Sequence, residues 1–293
     1  MTRSNAHAPT SFRNWSSTRS LAESLALAEA GVRSTPRDPQ ARWLLVELLC
    51  VLAQWERALR QLQTWATLAP HLESTAQVVR GLIRAEHQRI EVLEGRREFS
   101  SVASTDSTAS AWMKELWQAL RSSDTDTAPP DMAARDALRR RALDQAPSTP
   151  GQLEGAPAPF EWISDADTRL GPVCELVLLG SYRWLAIDDM ASLRKQAPSS
   201  LLDLLWSPVQ LTLRDGAELR AFMPMRYPMR EAERDAPALG RETTWSASGQ
   251  TGVIGHGQKM WTTNFGDVPL LDLRHCRFHA GNDGAAASEG PSA

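Results

Sequence analysis

The sequence lacks the features of a covalently stapled, membrane-spanning or nucleic-acid-binding protein. Three cysteines, Cys50, Cys174 and Cys276, stand far apart in 293 residues, with no CxxC pair among them. That excludes a disulfide framework and a zinc knuckle and reads as reduced thiols in a reducing compartment. The longest apolar stretches, "WLLVELLCVLA" at 43–53 and "LVLL" at 176–179, fall far short of the roughly 20 residues that span a bilayer. The polar N-terminus has no apolar stretch of the kind a secretory signal requires, so the expected location is the cytoplasm. With 32 basic and 35 acidic residues, a formal charge of -3 and no long run of either sign, the chain has no electrostatic footprint for nucleic acid or for an anionic membrane.

What is present is patterned apolar surface, enough to build packed cores. Residues 1–16 read as a loose leader. Leu21, Leu25, Ala28 and Val32 then form an amphipathic helical stripe. Asp38-Pro39 opens a second helix with "ARWLLVELLCVLA" as its body, a third is expected at Trp55–Leu68, and a fourth runs from about Glu73 to Gly95. Pro36 and Pro70 each close a helix and lie 34 residues apart, the tetratricopeptide period. Trp65 stands where that repeat usually has a small residue, which keeps a plain helical bundle as the alternative. Ser/Thr-rich loops at 100–110 and 122–131 flank a short helix, "AWMKELWQAL". The helix "AARDALRRRALDQA" follows, its arginine face expected in solvent.

The Pro-rich stretch 147–159 marks the expected linker between a helical domain, 17–146, and a second domain, 160–279. In the second, "VCELVLL" with "YRWLAI" and "VQLTLRDGAELRAF" read as hairpins. Short helices are expected at about 188–195 and 200–206, and further strands at 241–246, 257–264 and 268–273. The tail, 280–293, has nothing apolar to bury and is expected to be disordered. The fold class expected is multidomain: an N-terminal tetratricopeptide-like helical domain followed by an α+β domain with a mainly antiparallel sheet.

The densest chemistry is "FEWISDADTRLGP", with Phe160, Glu161, Trp162, Asp165, Asp167, Arg169, Gly171 and Pro172. Closely spaced carboxylates suit a hard cation or proton transfer, so a metal-dependent hydrolase or transferase using Asp165 and Asp167 is one reading. Arg169 is placed to neutralise the acids, and the Gly-Pro step leads into a strand. An interdomain joint is therefore favoured, with a partner contact there left open. "HCRFH" at 275–279 has zinc-compatible residues but no companion cluster. "GVIGHG" at 252–257 precedes a strand-like segment, so a hairpin or bulge is favoured over a phosphate loop. No GxSxG, HExxH or GxxxxGK[ST] occurs. No catalytic residue, resident metal or cofactor is expected.

Six segments together resemble a known family: "LLVELLCVLAQWERALRQLQTWATLAP", "AEHQRIEVLEGRREF", "FEWISDADTRLGPVCELVLLGSYRW", "LLDLLWSPVQLTLRDG", "RYP" and "GHGQKMWTTNFGDVPLLDLR". The chain from about Leu21 to Phe278 resembles the ImpE/TagJ (SciE-type) family of bacterial type VI secretion accessory proteins. The Ser/Thr-rich insertions and Ser164 within the acidic motif are departures from its pattern. The resemblance implies a noncatalytic cytoplasmic adaptor of the contractile sheath. It would bind the N-terminal helix of the small sheath subunit (TssB/VipA-like) and be linked to disassembly by the ClpV ATPase. Stacked helix pairs offer a groove for such a helix, with Gln40, Trp43, Glu47, Cys50, Gln77, Gly81 and Arg84 facing it by repeat geometry; Trp43 as a core residue is the competing reading. A scaffold that dimerises through its helices is a further alternative.

Overall fold

A computed structural model describes residues 19–102, 109–121, 131–229 and 234–279. The leader and the tail, and most of the two Ser/Thr-rich loops, lie outside the described residues.

The first half is helical: α1 (Leu21–Ser34), α2 (Pro39–Val51), α3 (Trp55–Leu68), α4 (Glu73–Leu93), α5 (Ala109–Gln118) and α6 (Met132–Gln145). Local chemistry sets the starts. Ser20 and Glu23 form a reciprocal capping box on α1, and Asp38 accepts from the Gln40 amide with Pro39 in the first turn of α2. The α2 helix is buried nearly all round because α1 and α3 flank it. Trp65, the departure from the repeat pattern, lies with its ring centroid 4.5 Å from that of Trp43. The larger ring at position 65 fills space beside a tryptophan of α2.

The second half is built on a seven-stranded antiparallel sheet in the order β1-β12-β5-β6-β7-β3-β4. Its strands are β1 (Gly151–Leu153), β3 (Val173–Leu178), β4 (Ser181–Ala186), β5 (Met190–Lys195), β6 (Trp206–Leu213), β7 (Glu218–Pro224) and β12 (His275–Phe278). A smaller sheet joins β2 (Ile163–Asp165), β10 (Met260–Thr263) and β11 (Gly266–Pro269), and β8 (Thr243–Ser248) pairs with β9 (Gly252–Gly257). One further short helix, α7 (Asp235–Ala238), precedes β8. The α+β expectation with a mainly antiparallel sheet holds for this half.

Alternation along β3 and β4 sends neighbouring residues into two cores. Val173, Val177, Tyr182 and Trp184 join the helical core, whereas Cys174, Leu176 and Leu185 join a second core with Leu193, Leu211 and Trp261. A sheet sandwiched in this way shows continuous burial rather than period-two exposure.

Three local expectations need correction. The segment 188–195 is not a helix: a 3-10 turn at Ile187–Asp189 leads into β5, which pairs with both β6 and β12. A register shift between Met190 and Ser192 breaks its alternation, so the period-two signal is weak in the sequence. At 200–206 only a 3-10 turn, Leu202–Leu204, forms before Trp206 enters β6. The Pro-rich stretch 147–159 does not merely link: its residues Gly151–Leu153 form the edge strand paired to β12.

Candidate functional site

The acidic stretch begins on β2 and ends in a tight turn. The Asp165 amide donates to the Gly171 carbonyl (2.7 Å), and Gly171 takes φ +56, a conformation glycine adopts freely. Asp167 accepts both its own Arg169 backbone amide (2.9 Å) and the Arg169 guanidinium, whose Nη2 lies 2.6 Å from Oδ2. The Gly255 amide of β9 donates to the same Oδ2 at 3.0 Å. Asp165 accepts from the Asp167 amide (2.9 Å), from the Tyr227 hydroxyl (3.0 Å) and from the Lys259 ammonium. Protein donors therefore occupy both carboxylates, and both residues are buried.

Lys259 extends the cluster towards the helices. Its Nζ also donates to Glu175 Oε2 at 2.6 Å. Arg89, on α4, grips Glu175 with a two-pronged contact, Nε to Oε1 at 2.7 Å and Nη2 to Oε2 at 2.8 Å, and reaches Glu86 at 3.1 Å. Tyr182 donates to Glu175 (2.6 Å), Trp184 donates to the Tyr182 hydroxyl (2.7 Å), and Trp206 donates to Glu86 (3.2 Å). A continuous buried ionic chain thus runs from α4 through β3 and Lys259 to β2.

Burial and pairing compete at each member. Burial alone would raise the Glu175 carboxyl, but Arg89 and Lys259 outweigh it and hold that group below the ordinary carboxylate range. Burial would likewise lower Lys259, and the Asp165 and Glu175 charges reverse this, keeping it protonated. Asp165 differs: burial pushes it up to about 6, with Lys259 pulling down and Asp167 adding to the rise. The tyrosine hydroxyls of 182 and 227 are raised, chiefly by burial, and serve as donors.

Two more contacts join the halves. Arg226 is buried and donates to the Val51 and Ala238 carbonyls, both at 2.7 Å, and to the Cys50 carbonyl at 3.3 Å. A cation thereby covers the carbonyl end of α2. Burial lowers its pKa to about 10, which still leaves it charged at neutral pH. On α6, Asp136 accepts from the Thr251 hydroxyl (2.7 Å) and from the amides of Gln250 (2.7 Å) and Thr251 (3.1 Å) in the β8–β9 turn, and these contacts, the hydroxyl foremost, draw it to about 2. This corrects the reading of the α6 arginine face as wholly solvated: Arg139 is buried beside Asp136 and contacts Thr251 at 2.9 Å.

The other expected residues disperse. Phe160 packs in the second core, Glu161 and Trp162 are exposed, and Pro172 is buried at the entry to β3. Of the groove set, Gln40 and Gln77 are exposed, but Trp43, Glu47 and Cys50 are buried among the helices. Gly81 and Arg84 face the second half: a Cβ on Gly81 would stand 3.0 Å from Gly180 Cα, and Arg84 donates to the Gly180 carbonyl at 3.1 Å. The proposed groove is therefore not an open channel, because the β3–β4 hairpin occupies the α4 side of it. His275 and Cys276 lie on β12 within the large sheet, and the described residues contain no cluster of three or more metal-binding side chains.

Sequence reasoning missed Glu175, Arg89, Lys259, Arg226 and Tyr227. A signal existed for the first: a lone glutamate inside "VCELVLL" must find a buried cation or forfeit its burial. The six segments quoted for the family resemblance converge on these contacts. They contribute, in order, the Cys50 and Val51 carbonyls; Glu86 with Arg89; Asp165, Asp167, Arg169, Glu175 and Tyr182; Trp206; Arg226 with Tyr227; and Gly255 with Lys259.

Comparison with known proteins agrees. Residues 157–277 match the family model described as ImpE protein. The chain is 38% identical over 259 residues to the type VI secretion system accessory component TagJ of Pseudomonas aeruginosa, covering 88% of this chain and 87% of that protein. The crystal structure of a Vibrio parahaemolyticus protein superposes with a TM-score of 0.76 at 25% identity, covering 88% of this chain and 94% of that one.

Proposed function

The chain belongs to the ImpE/TagJ family of type VI secretion accessory proteins, and from that premise we propose that it is a noncatalytic cytoplasmic adaptor. Its partner in this reading is the N-terminal helix of the small sheath subunit (TssB/VipA-like), and through it the protein serves ClpV-dependent sheath disassembly. The observation that carries the noncatalytic part is the occupancy of the acidic stretch. Asp165 and Asp167, the pair that motivated a hydrolase or transferase, are buried and bonded to Lys259, Tyr227, Arg169 and the Gly255 amide. A carboxylate so engaged has no free oxygen for a substrate and would lose fold stability by changing partners.

The period set by Pro36 and Pro70, together with α2 packed between its neighbours, supports a tetratricopeptide-like reading of the helical half. No helix among the described residues is long and apolar enough to cross a membrane. The adaptor reading is tested by co-purifying the full-length protein with the small sheath subunit. Retention of the intact subunit and loss of a subunit without its N-terminal helix is the expected result. Failure to retain the intact subunit contradicts it.

A further inference from the structure

The helical half covers only one end of the large sheet. On the face where Tyr182 and Val177 meet the helices, the register continues through Phe222 and Pro208, and then outward to β6, β5 and β12. There the cross-strand partners are Arg220 with Gln210, Gln210 with Arg194, and Arg194 with His275. Arg194, Gln210, Arg220 and Pro208 are exposed and Phe222 is partly so. They line a trough of about 510 Å³.

Its chemistry differs from that of the buried joint. Among the described residues neither Arg194 nor Arg220 makes an ion pair; Arg194 donates only to His275 Nε2, at 3.4 Å. Burial and the neighbouring arginines lower the His275 pKa, which suits a neutral ring accepting that contact. Beside the cationic row runs an apolar row, Pro208 and Phe222; on the other side lie Arg277, Ser192, Thr212 and Glu218. The trough spans three strands at about 4.8 Å spacing, close to the roughly 10 Å width of one α-helix.

We infer that this trough holds an amphipathic helix of a protein partner, with its apolar stripe on Pro208 and Phe222 and bordering acidic side chains on Arg194 and Arg220. Charge complementarity selects the occupant, since two guanidiniums beside an apolar strip match an acidic-edged helix. A nucleic acid is the poorer fit: Glu218 adjoins the cationic row, and the chain carries a net charge of -3. The inference rests on the adaptor reading for the partner's class, and moves the binding surface from the helical groove to the sheet.

The test uses full-length protein and labelled peptides in fluorescence anisotropy. The first probe is a model helix with leucine along one face and glutamate bordering it; the second is the N-terminal peptide of the small sheath subunit; the third is a single-stranded oligonucleotide. Both arginines are exposed, so Arg194→Glu with Arg220→Glu is expected to fold, checked by circular dichroism; Arg194→Gln with Arg220→Gln serves if the reversal does not. The model helix should bind the wild type and weaken by about tenfold or more in the variant. Failure to bind the wild type, or equal binding by both, overturns the trough. An oligonucleotide held more tightly through the same arginines overturns the choice of a helix. A sheath peptide lost in the variant unites both readings, and one held equally by wild type and variant keeps the adaptor and overturns the trough. A sheath peptide that does not bind, while the model helix does, overturns the sheath partner and leaves the trough standing.

Discussion

One face of one sheet carries charge in two ways. At its β3–β4 end, Glu175 is buried against Arg89 and Lys259 with every carboxylate oxygen engaged; farther along, on β5 and β7, Arg194 and Arg220 stand exposed without an acidic partner among the described residues. The paired end has no capacity left for a ligand, whereas the unpaired end does. Charge density in a sequence therefore does not locate a site; the partners of each charge do. The acidic stretch, which looked like chemistry, belongs with the paired end.

The largest contrast should come from Glu175→Gln. It leaves Arg89 and Lys259 buried with fewer counter-charges, and a broken buried pair costs about 3–5 kcal/mol. Denaturant unfolding should show that loss. Next, Arg226→Met strips the Val51 and Ala238 carbonyls of their shared donor and should cost roughly 3 kcal/mol, read as a fall in the unfolding midpoint.

Asp165 sharpens the comparison through pH. Its folded pKa, about 6, lies above the ordinary 3.8, so the unfolded chain ionises first as pH rises and the native state then binds more protons. Wild-type stability should fall relative to Asp165→Asn as pH rises from 3.8 to about 6 and run parallel above that window. Parallel curves throughout would show that Asp165 has an ordinary pKa. Gly81→Ala pushes a methyl group against Gly180 and should cost about 1 kcal/mol. The smallest effect belongs to the open end: Arg194→Gln with Arg220→Gln should shift stability by no more than about 0.5 kcal/mol.

The helices of the first half were legible because their apolar spacing and their caps, Ser20 and Asp38, are local signals. The β3–β4 and β6–β7 hairpins were legible from alternation around Gly180 and Asp215-Gly216. The strand β5 was not, since the irregular register beside Met190 hides its alternation and its two partners lie far away in sequence. At the joint, Arg169 beside Asp167 could be read from spacing. Arg89, Glu175 and Lys259 could not, because 86 and 84 residues separate the first and last from Glu175 and no periodicity links them. The family resemblance pointed to the right segments without revealing that they meet.

The most direct test of the joint is a double-mutant cycle on Arg89 and Glu175, with each residue replaced by Met singly and together and stability measured by denaturant unfolding. Each single change should cost about 3–5 kcal/mol and the double change much less than their sum, because an apolar pair leaves no stranded charge. Additive losses, or single changes costing less than about 1 kcal/mol, would contradict the account.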